Sequence, residues 1–287
     1  ISQLAEGNHA WLKLERNGRI YGSVNTNGAV TGRCTHSNPN VAQVPASYSP
    51  YGTECRSLFR AGKDRILVGC DADGLELRAL AGYLKKYDGG VYAKAAVDGT
   101  KDKGSDVHSL NRDALGLSSR DIAKTFFYAF IYGAGDQKLG TILGGGAKRG
   151  KQGRAALLSG VSGLMELTEK VKQVFRRRGH LIGLDGRKLH IRSEHSALNT
   201  LLQSAGAILM KKALILLDER LKTHYKEGDY EFVANIHDEF QIEVKEEYAE
   251  EIASHAAESI YRAGQYFEFG CPLSATSHIG KTWAETH

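Results

Sequence analysis

The chain has few cysteines and no pairing pattern among them. Cys34, Cys55, Cys70 and Cys271 are scattered with no C-x-x-C spacing, which argues against a zinc ribbon or a disulfide framework and for reduced thiols. No apolar run approaches the ~20 residues of a membrane span, and residues 1–14 carry neither the basic start nor the apolar core of a signal peptide. The expectation is therefore an intracellular, cytoplasmic protein with no membrane partner. Internal repeats, linkers and low-complexity blocks are missing too, so a solenoid or a disordered scaffold is not indicated. Gly144-Gly145-Gly146 is not a P-loop, because no G-K-[ST] follows a strand. The chain starts with Ile rather than Met, which reads as a fragment or a processed piece.

At 287 residues, 41% hydrophobic and 25% charged, the chain can bury one large core or two small ones. Its net charge of +5 is unevenly spread. Lys148, Arg149, Lys151 and Arg154 lie together without an acid, and Lys170 to Arg192 holds eight Lys/Arg against Asp185 alone. Asp218 to Glu258 holds thirteen acids and four bases. A basic middle beside an acidic end suggests a surface that meets polyanions, with a solvated charged face as the plain alternative.

The most informative stretch is Asn235-Ile236-His237-Asp238-Glu239-Phe240. An apolar Phe232-Val233-Ala234 leads in and an alternating Phe240 to Val244 leads out, which predicts a hairpin with acids at its tip. Adjacent carboxylates near buried strands call for a cation, so Asp238 is a candidate ligand for a hard divalent ion such as Mg²⁺. A second acidic site lies far upstream. Arg65 to Cys70 reads as a buried strand ended by Asp71-Ala72-Asp73-Gly74, and a helical Leu/Ala pattern follows from Leu75 to Leu84. Asp71 and Asp73 would point the same way on an extended strand, so spacing alone does not choose between them.

Between these acids, Arg120, Lys124, Tyr128 and Tyr132 recur at every fourth position. On a helix they form one stripe that drifts ~40° per step at ~100° per residue. Two cations followed by two phenols suit a nucleoside triphosphate: the cations hold phosphates, and a ring stacks on the base or sugar. An aromatic core stripe with a solvated basic end is the alternative. Gly133-Ala134-Gly135 closes this helix. Elsewhere the patterns predict a short helix at Ala10 to Leu14, a strand at Arg19 to Ser23, and a polar turn-rich segment at residues 25–45. Further helices are expected at Leu157 to Arg178, Asn199 to Leu221 and Tyr248 to Ala263, with a hairpin turn at Leu184 to Leu189.

Together these pieces resemble the polymerase core of family A (Pol I-like) DNA polymerases, and within it the replicative branch of podophages. Asp71, Glu76 and Arg78 match the family's first motif. Arg120, Lys124, Tyr128 and Tyr132-Gly133 match its second, and His237-Asp238-Glu239 its third. Thr31-Gly32-Arg33, Gly183 to Arg192 and Leu198 to Ala207 resemble the phage branch as well, so the similarity runs over essentially the whole chain. The glutamate offset selects Asp71 over Asp73. Asp73 itself departs from the family, which more often has Ser or a small polar residue there.

The resemblance implies an α+β fold, an antiparallel-sheet palm with a helical fingers subdomain. Residues 1–74 would be the first part of the palm, with the base of the thumb at its extreme start, 75–200 the fingers and 201–287 the rest of the palm. It implies template-directed, two-metal-ion transfer of deoxynucleoside triphosphates onto a primer 3′-hydroxyl. Asp71 and Asp238, with the Ala72 carbonyl, would hold two Mg²⁺ ions, leaving open whether Asp73 or Glu239 also binds them. Arg120 and Lys124, helped by His108, would hold the phosphates. Glu76 would block a ribose 2′-hydroxyl and bond to Tyr128, whose phenol in place of Phe implies tolerance of dideoxynucleotides. Tyr132 would stack by the templating base, and Arg33, Asn199, Gln203 and His237 would touch the primer end.

Neither the family's thumb nor its proofreading-like exonuclease domain fits in this stretch; the implied partners are primer-template DNA and deoxynucleotides, and whether those domains sit on a separate chain or were trimmed or lost is left open. Two other readings are a single-subunit RNA polymerase, which Glu76 opposes, and a DNA-binding portion without activity of its own.

Overall fold

The computed structural model describes residues 2–287. The chain opens on short elements: helix α1 (Trp11–Leu14), the antiparallel pairs β1 (Glu15–Arg16) with β2 (Arg19–Ile20) and β3 (Ser23–Asn25) with β4 (Thr35–Ser37), and helix α2 (Gly52–Ser57). Strand β5 (Arg65–Ala72) follows. A helical stretch comes next: α3 (Leu75–Asp88), α4 (Val91–Asp98), α5 (Val107–Ala114), α6 (Arg120–Ile131), α7 (Asp136–Ile142), α8 (Ala147–Gly160) and α9 (Leu164–Arg178). The small hairpin β6 (His180–Ile182) with β7 (Lys188–His190) leads to the long α10 (Ala197–His224), then β8 (Tyr230–Ile236), β9 (Glu239–Lys245), α11 (Ala249–Tyr266) and β10 (Ala275–Gly280). The expected α+β class is what the structure shows.

These elements fall into two units: residues up to Asp73 with Leu209–Ala263 and Ser274–His287, and Gly74–Ile208 with Gly264–Leu273. The first unit is organised on a four-stranded antiparallel sheet in the order β10-β5-β9-β8. Arg65 to Ala72 forms its centre because Val68, Gly69 and Cys70 offer a continuous buried run, and β9 is buried along six of its seven residues. Strands this apolar are stable only when paired on both sides. Gly69 is required by close approach: a Cβ there would lie 2.1 Å from the Thr286 carbonyl oxygen. Beside the sheet, Trp11, Val44, Ile236 and Trp283 form a small apolar cluster, with Phe59 edge-on to both tryptophans at 5.4 and 5.5 Å.

The second unit is helical and has one core, in which Leu80, Leu84, Phe126, Phe127, Leu139, Leu157 and Leu164 are fully buried. The single helix expected over Leu157 to Arg178 is in fact the end of α8 and all of α9, parted at Val161 to Gly163. Gly163 takes φ +77°, outside the helical range, and Tyr87 packs against it. The turn expected at Leu184 to Leu189 is present, with Gly186 at φ +82° between β6 and β7. α10 has the length and hydropathy of a membrane span, yet 67% of its apolar window is buried inside the protein, as in a core helix.

Candidate active site

In the first unit the acids come together through strand register. β5 and β9 run antiparallel with Asp71 opposite Glu239, and the Ala72 amide donates to the Asp238 carbonyl oxygen at 3.0 Å. His237 and Asp238 are the two-residue turn between β8 and β9, whose last pair is Ile236 with Glu239. His237 holds φ +58°, a left-handed conformation that histidine tolerates better than most side chains. Further back, the ladder slips by one residue between Phe232 and Ala234, a bulge that reorients the strand before the turn.

Burial, then the charges of Asp238 and Glu239, push the Asp71 carboxyl up to about 7. Ligand atoms of Asp71, Glu239 and His287 lie within 4.8 Å of one another. Asp71, Asp238 and Glu239 are carboxylates crowded at a sheet end, which repel each other unless a cation intervenes; their oxygens, unlike the His287 nitrogen, match a hard divalent ion. The residues present therefore fit such an ion.

The two acids whose role the sequence left open are both engaged by the protein. Glu239, 3% exposed, accepts from Trp283 Nε1 at 2.7 Å, from Gln241 Nε2, and at its other oxygen pairs with His287 Nδ1 at 2.8 Å. Asp73 accepts from Ser274 Oγ at 2.6 Å and Thr276 Oγ1 at 2.7 Å. The Arg56 guanidinium stacks 4.4 Å from the centre of the Trp283 ring. Burial lowers its pKa against the pull of Glu239, Tyr48 and Asp71.

In the second unit α6 presents the expected stripe. Ser119 caps its start by accepting from the Ile122 amide, and Ala123, Phe126, Phe127, Phe130 and Ile131 are buried. That leaves Arg120, Lys124 and Tyr128 on other faces, with Tyr132 as the C-cap. Tyr128 and Tyr132 stack at 6.4 Å with 23° between their planes, and the His108 ring lies 5.7 Å from Tyr128. Burial first, then Arg120 and Lys124, lowers the His108 pKa to about 4, so the imidazole is neutral at pH 7.

Asp106 caps α5 and receives two bonds from the Arg120 guanidinium. Burial would raise this carboxyl, but the bonds from Arg120 and Ser109 outweigh it and hold it well below the usual range. Glu76 lies in the first turn of α3 and is 6% exposed. Asn199 Nδ2 donates to the Ile131 carbonyl at the end of α6, and Gln203 follows one turn later on α10.

The fold thus gathers Asp71, Ala72, His237 and Asp238 at one sheet end of the first unit; Arg33 lies in the loop between β3 and β4 of the same unit. It gathers His108, Arg120, Tyr128, Tyr132 and Asn199 around α6 in the second. Sequence reasoning missed Asp106, whose signal was its position just before an apolar helical run, as an N-cap. It missed the donors to Glu239 as well, since nothing local in the sequence ties Trp283 or His287 to a strand more than forty positions earlier.

Comparison with known proteins bears on the family and the fold. The model of DNA polymerase family A matches residues 4–285. The DNA-directed DNA polymerases of Enterobacteria phage T3 and Escherichia phage T7 are each 42% identical over 315 residues, covering 100% of this chain and 44% of the relative. DNA polymerase I of Aquifex aeolicus is 27% identical over 94% of the chain and 47% of its own length. Among solved structures, the POL domain of Pol1 from M. smegmatis, in complex with DNA primer-template and dNTP, superposes with a TM-score of 0.81 at 22% identity, over 95% of this chain and 49% of that one. The chain spans less than half the length of these relatives. By its motifs, its fold and this family match, it belongs to DNA polymerase family A.

Proposed function

We propose that the chain is the palm-and-fingers portion of a DNA polymerase that extends a primer along a template by nucleotidyl transfer. The observation that carries this reading is the β5–β9 register, which sets Asp71 beside Asp238 and Glu239 although a whole helical unit separates them in sequence. The first unit corresponds to the palm and the second to the fingers. Family membership implies dependence on a divalent metal. Two Mg²⁺ ions, held by Asp71, Asp238 and the Ala72 carbonyl, would lower the pKa of the primer 3′-hydroxyl and neutralise charge on the triphosphate.

The chain's own groups do the rest. Arg120 and Lys124 hold the phosphates, so charge that develops during transfer meets fixed cations. Asp106 orients the Arg120 guanidinium, and neutral His108 can donate one hydrogen bond to a phosphate oxygen without adding charge. Tyr128 and Tyr132 offer ring faces to the sugar and the templating base. Glu76 fills the space a 2′-hydroxyl would need, which favours DNA over RNA synthesis. Arg33, Asn199, Gln203 and His237 contact the primer end, testing pair shape rather than sequence.

Primer-template DNA, deoxynucleotides and a polypeptide supplying the thumb are the partners, in the cytoplasm of a host cell. The test mixes the purified chain with primed template, Mg²⁺ and deoxynucleotides, with and without polypeptides encoded upstream. Extension that vanishes in both Asp71→Asn and Asp238→Asn supports the assignment. Extension retained by either variant refutes it, and no extension in any combination leaves a DNA-binding role.

A further inference from the structure

Lys211 lies on the part of α10 that belongs to the first unit. Its Nζ donates to two main-chain carbonyls of the loop between β3 and β4, Gly32 at 2.6 Å and Thr26. An ammonium has three donors, so two of them are committed to one loop. The same loop is closed from within: the Ala29 amide donates to the Arg33 carbonyl at 3.2 Å, and the Gly32 amide to the Ala29 carbonyl at 2.8 Å. Thr31 is buried at 5% exposure, while Thr26 to Gly28 face solvent. These internal bonds close each half of the loop on itself, and its exposed first half, Thr26 to Gly28, is not tied by them to its buried second half. The ammonium joins the two halves by bonding Thr26 in one and Gly32 in the other, and Arg33 follows Gly32 directly in the chain.

We propose that Lys211 is a positioning residue for Arg33: by clamping the carbonyls of Thr26 and Gly32, it fixes the direction in which the Arg33 guanidinium meets the primer end. This rests on the reading of Arg33 as a contact to the primer end, and takes the minor groove as the face it meets. The chemistry favours lysine or arginine at position 211, because a charged donor to a carbonyl is stronger than a neutral one.

The test compares wild type, Lys211→Met, Lys211→Arg, Arg33→Ala and the Lys211→Met/Arg33→Ala double variant in the full chain. Amide hydrogen exchange over residues 26–33 reads the clamp directly. Affinity for primer-template hairpins reads its consequence, with a primer-terminal adenine or its 3-deaza analogue, which lacks the minor-groove N3 acceptor. Losing the clamp should speed loop exchange and weaken adenine-terminated binding about tenfold each, and should erase the penalty for the 3-deaza base. Lys211→Arg should restore both readouts, and the double variant should bind no more weakly than Arg33→Ala.

Wild-type exchange or an intact 3-deaza penalty in Lys211→Met overturns the proposal while leaving the Arg33 reading standing. So do losses that multiply in the double variant. An unchanged Arg33→Ala would sink the Arg33 reading itself and the proposal with it. Should Lys211→Met fail to fold, Lys211→Gln keeps two neutral N–H donors on a shorter stem and should give intermediate values; wild-type behaviour there also overturns the proposal.

Discussion

Asp71 sits directly across the β5–β9 ladder from Glu239, two acids in register at the end of a buried sheet. Like charges opposite one another oppose strand pairing, and the protein offsets this by giving Glu239 hydrogen-bond partners in Trp283, Gln241 and His287. Asp71 is left as the acid whose charge burial and its neighbours disfavour.

That asymmetry sets a pH dependence. Asp71 moves from 3.8 in the unfolded chain to about 7 when folded, so between those values the folded state holds more protons than the unfolded one. Stability contributed at this site therefore falls as pH rises through that window. In chelator, the thermal midpoint should drop across it, and Asp71→Asn should flatten the drop. Added Mg²⁺ should raise the midpoint more at about pH 8 than at about pH 5, because it binds the ionised form. Calorimetry that showed the same Mg²⁺ effect at both values would contradict this account.

Trp283→Phe keeps an aromatic ring, though a smaller one, against Phe59 and Arg56 and removes the donor to a nearly fully buried carboxylate. A loss of about 1–3 kcal/mol is expected from leaving that oxygen short of a partner. Urea denaturation measures it, and an unchanged midpoint would mean the bond contributes nothing net.

Glu76→Ala opens space at the start of α3, where the glutamate is buried. Incorporation of ribonucleotides relative to deoxynucleotides should rise on the order of tenfold or more, since the excluded hydroxyl is then admitted. Single-nucleotide insertion with matched ribo- and deoxynucleotides decides it; unchanged discrimination removes Glu76 from that role.

Asp73→Ala should cost about 1 kcal/mol by releasing the Ser274 and Thr276 hydroxyls, while the Mg²⁺ concentration for half-maximal extension stays put. A shifted Mg²⁺ requirement would instead make Asp73 part of the metal site.

Much of the site was legible in order along the chain. The stripe at Arg120, Lys124, Tyr128 and Tyr132 follows from helical period alone, because the apolar residues between them must face a core. The hairpin around His237 and Asp238 follows from alternation broken by polar residues. The break between α8 and α9 was marked by Gly160 and Ser162-Gly163, a turn signal that the continuing apolar periodicity masked; what the sequence did not show is that Tyr87 leaves no room for a Cβ at position 163. Glu239 was read as part of the hairpin tip, yet it is the first residue of β9 and is buried, since the turn is two residues long.

By itself the sequence singled out the candidate residues, because ligand type, charge and period are local properties of the chain. Only the tertiary structure decided which acids meet and which are spoken for. The register that sets Asp71 against Glu239, the bonds from Trp283 and His287, and the clasp of Asp73 by Ser274 and Thr276 all join positions far apart in sequence. Their energies depend on burial and distance, which exist only once the sheet has formed.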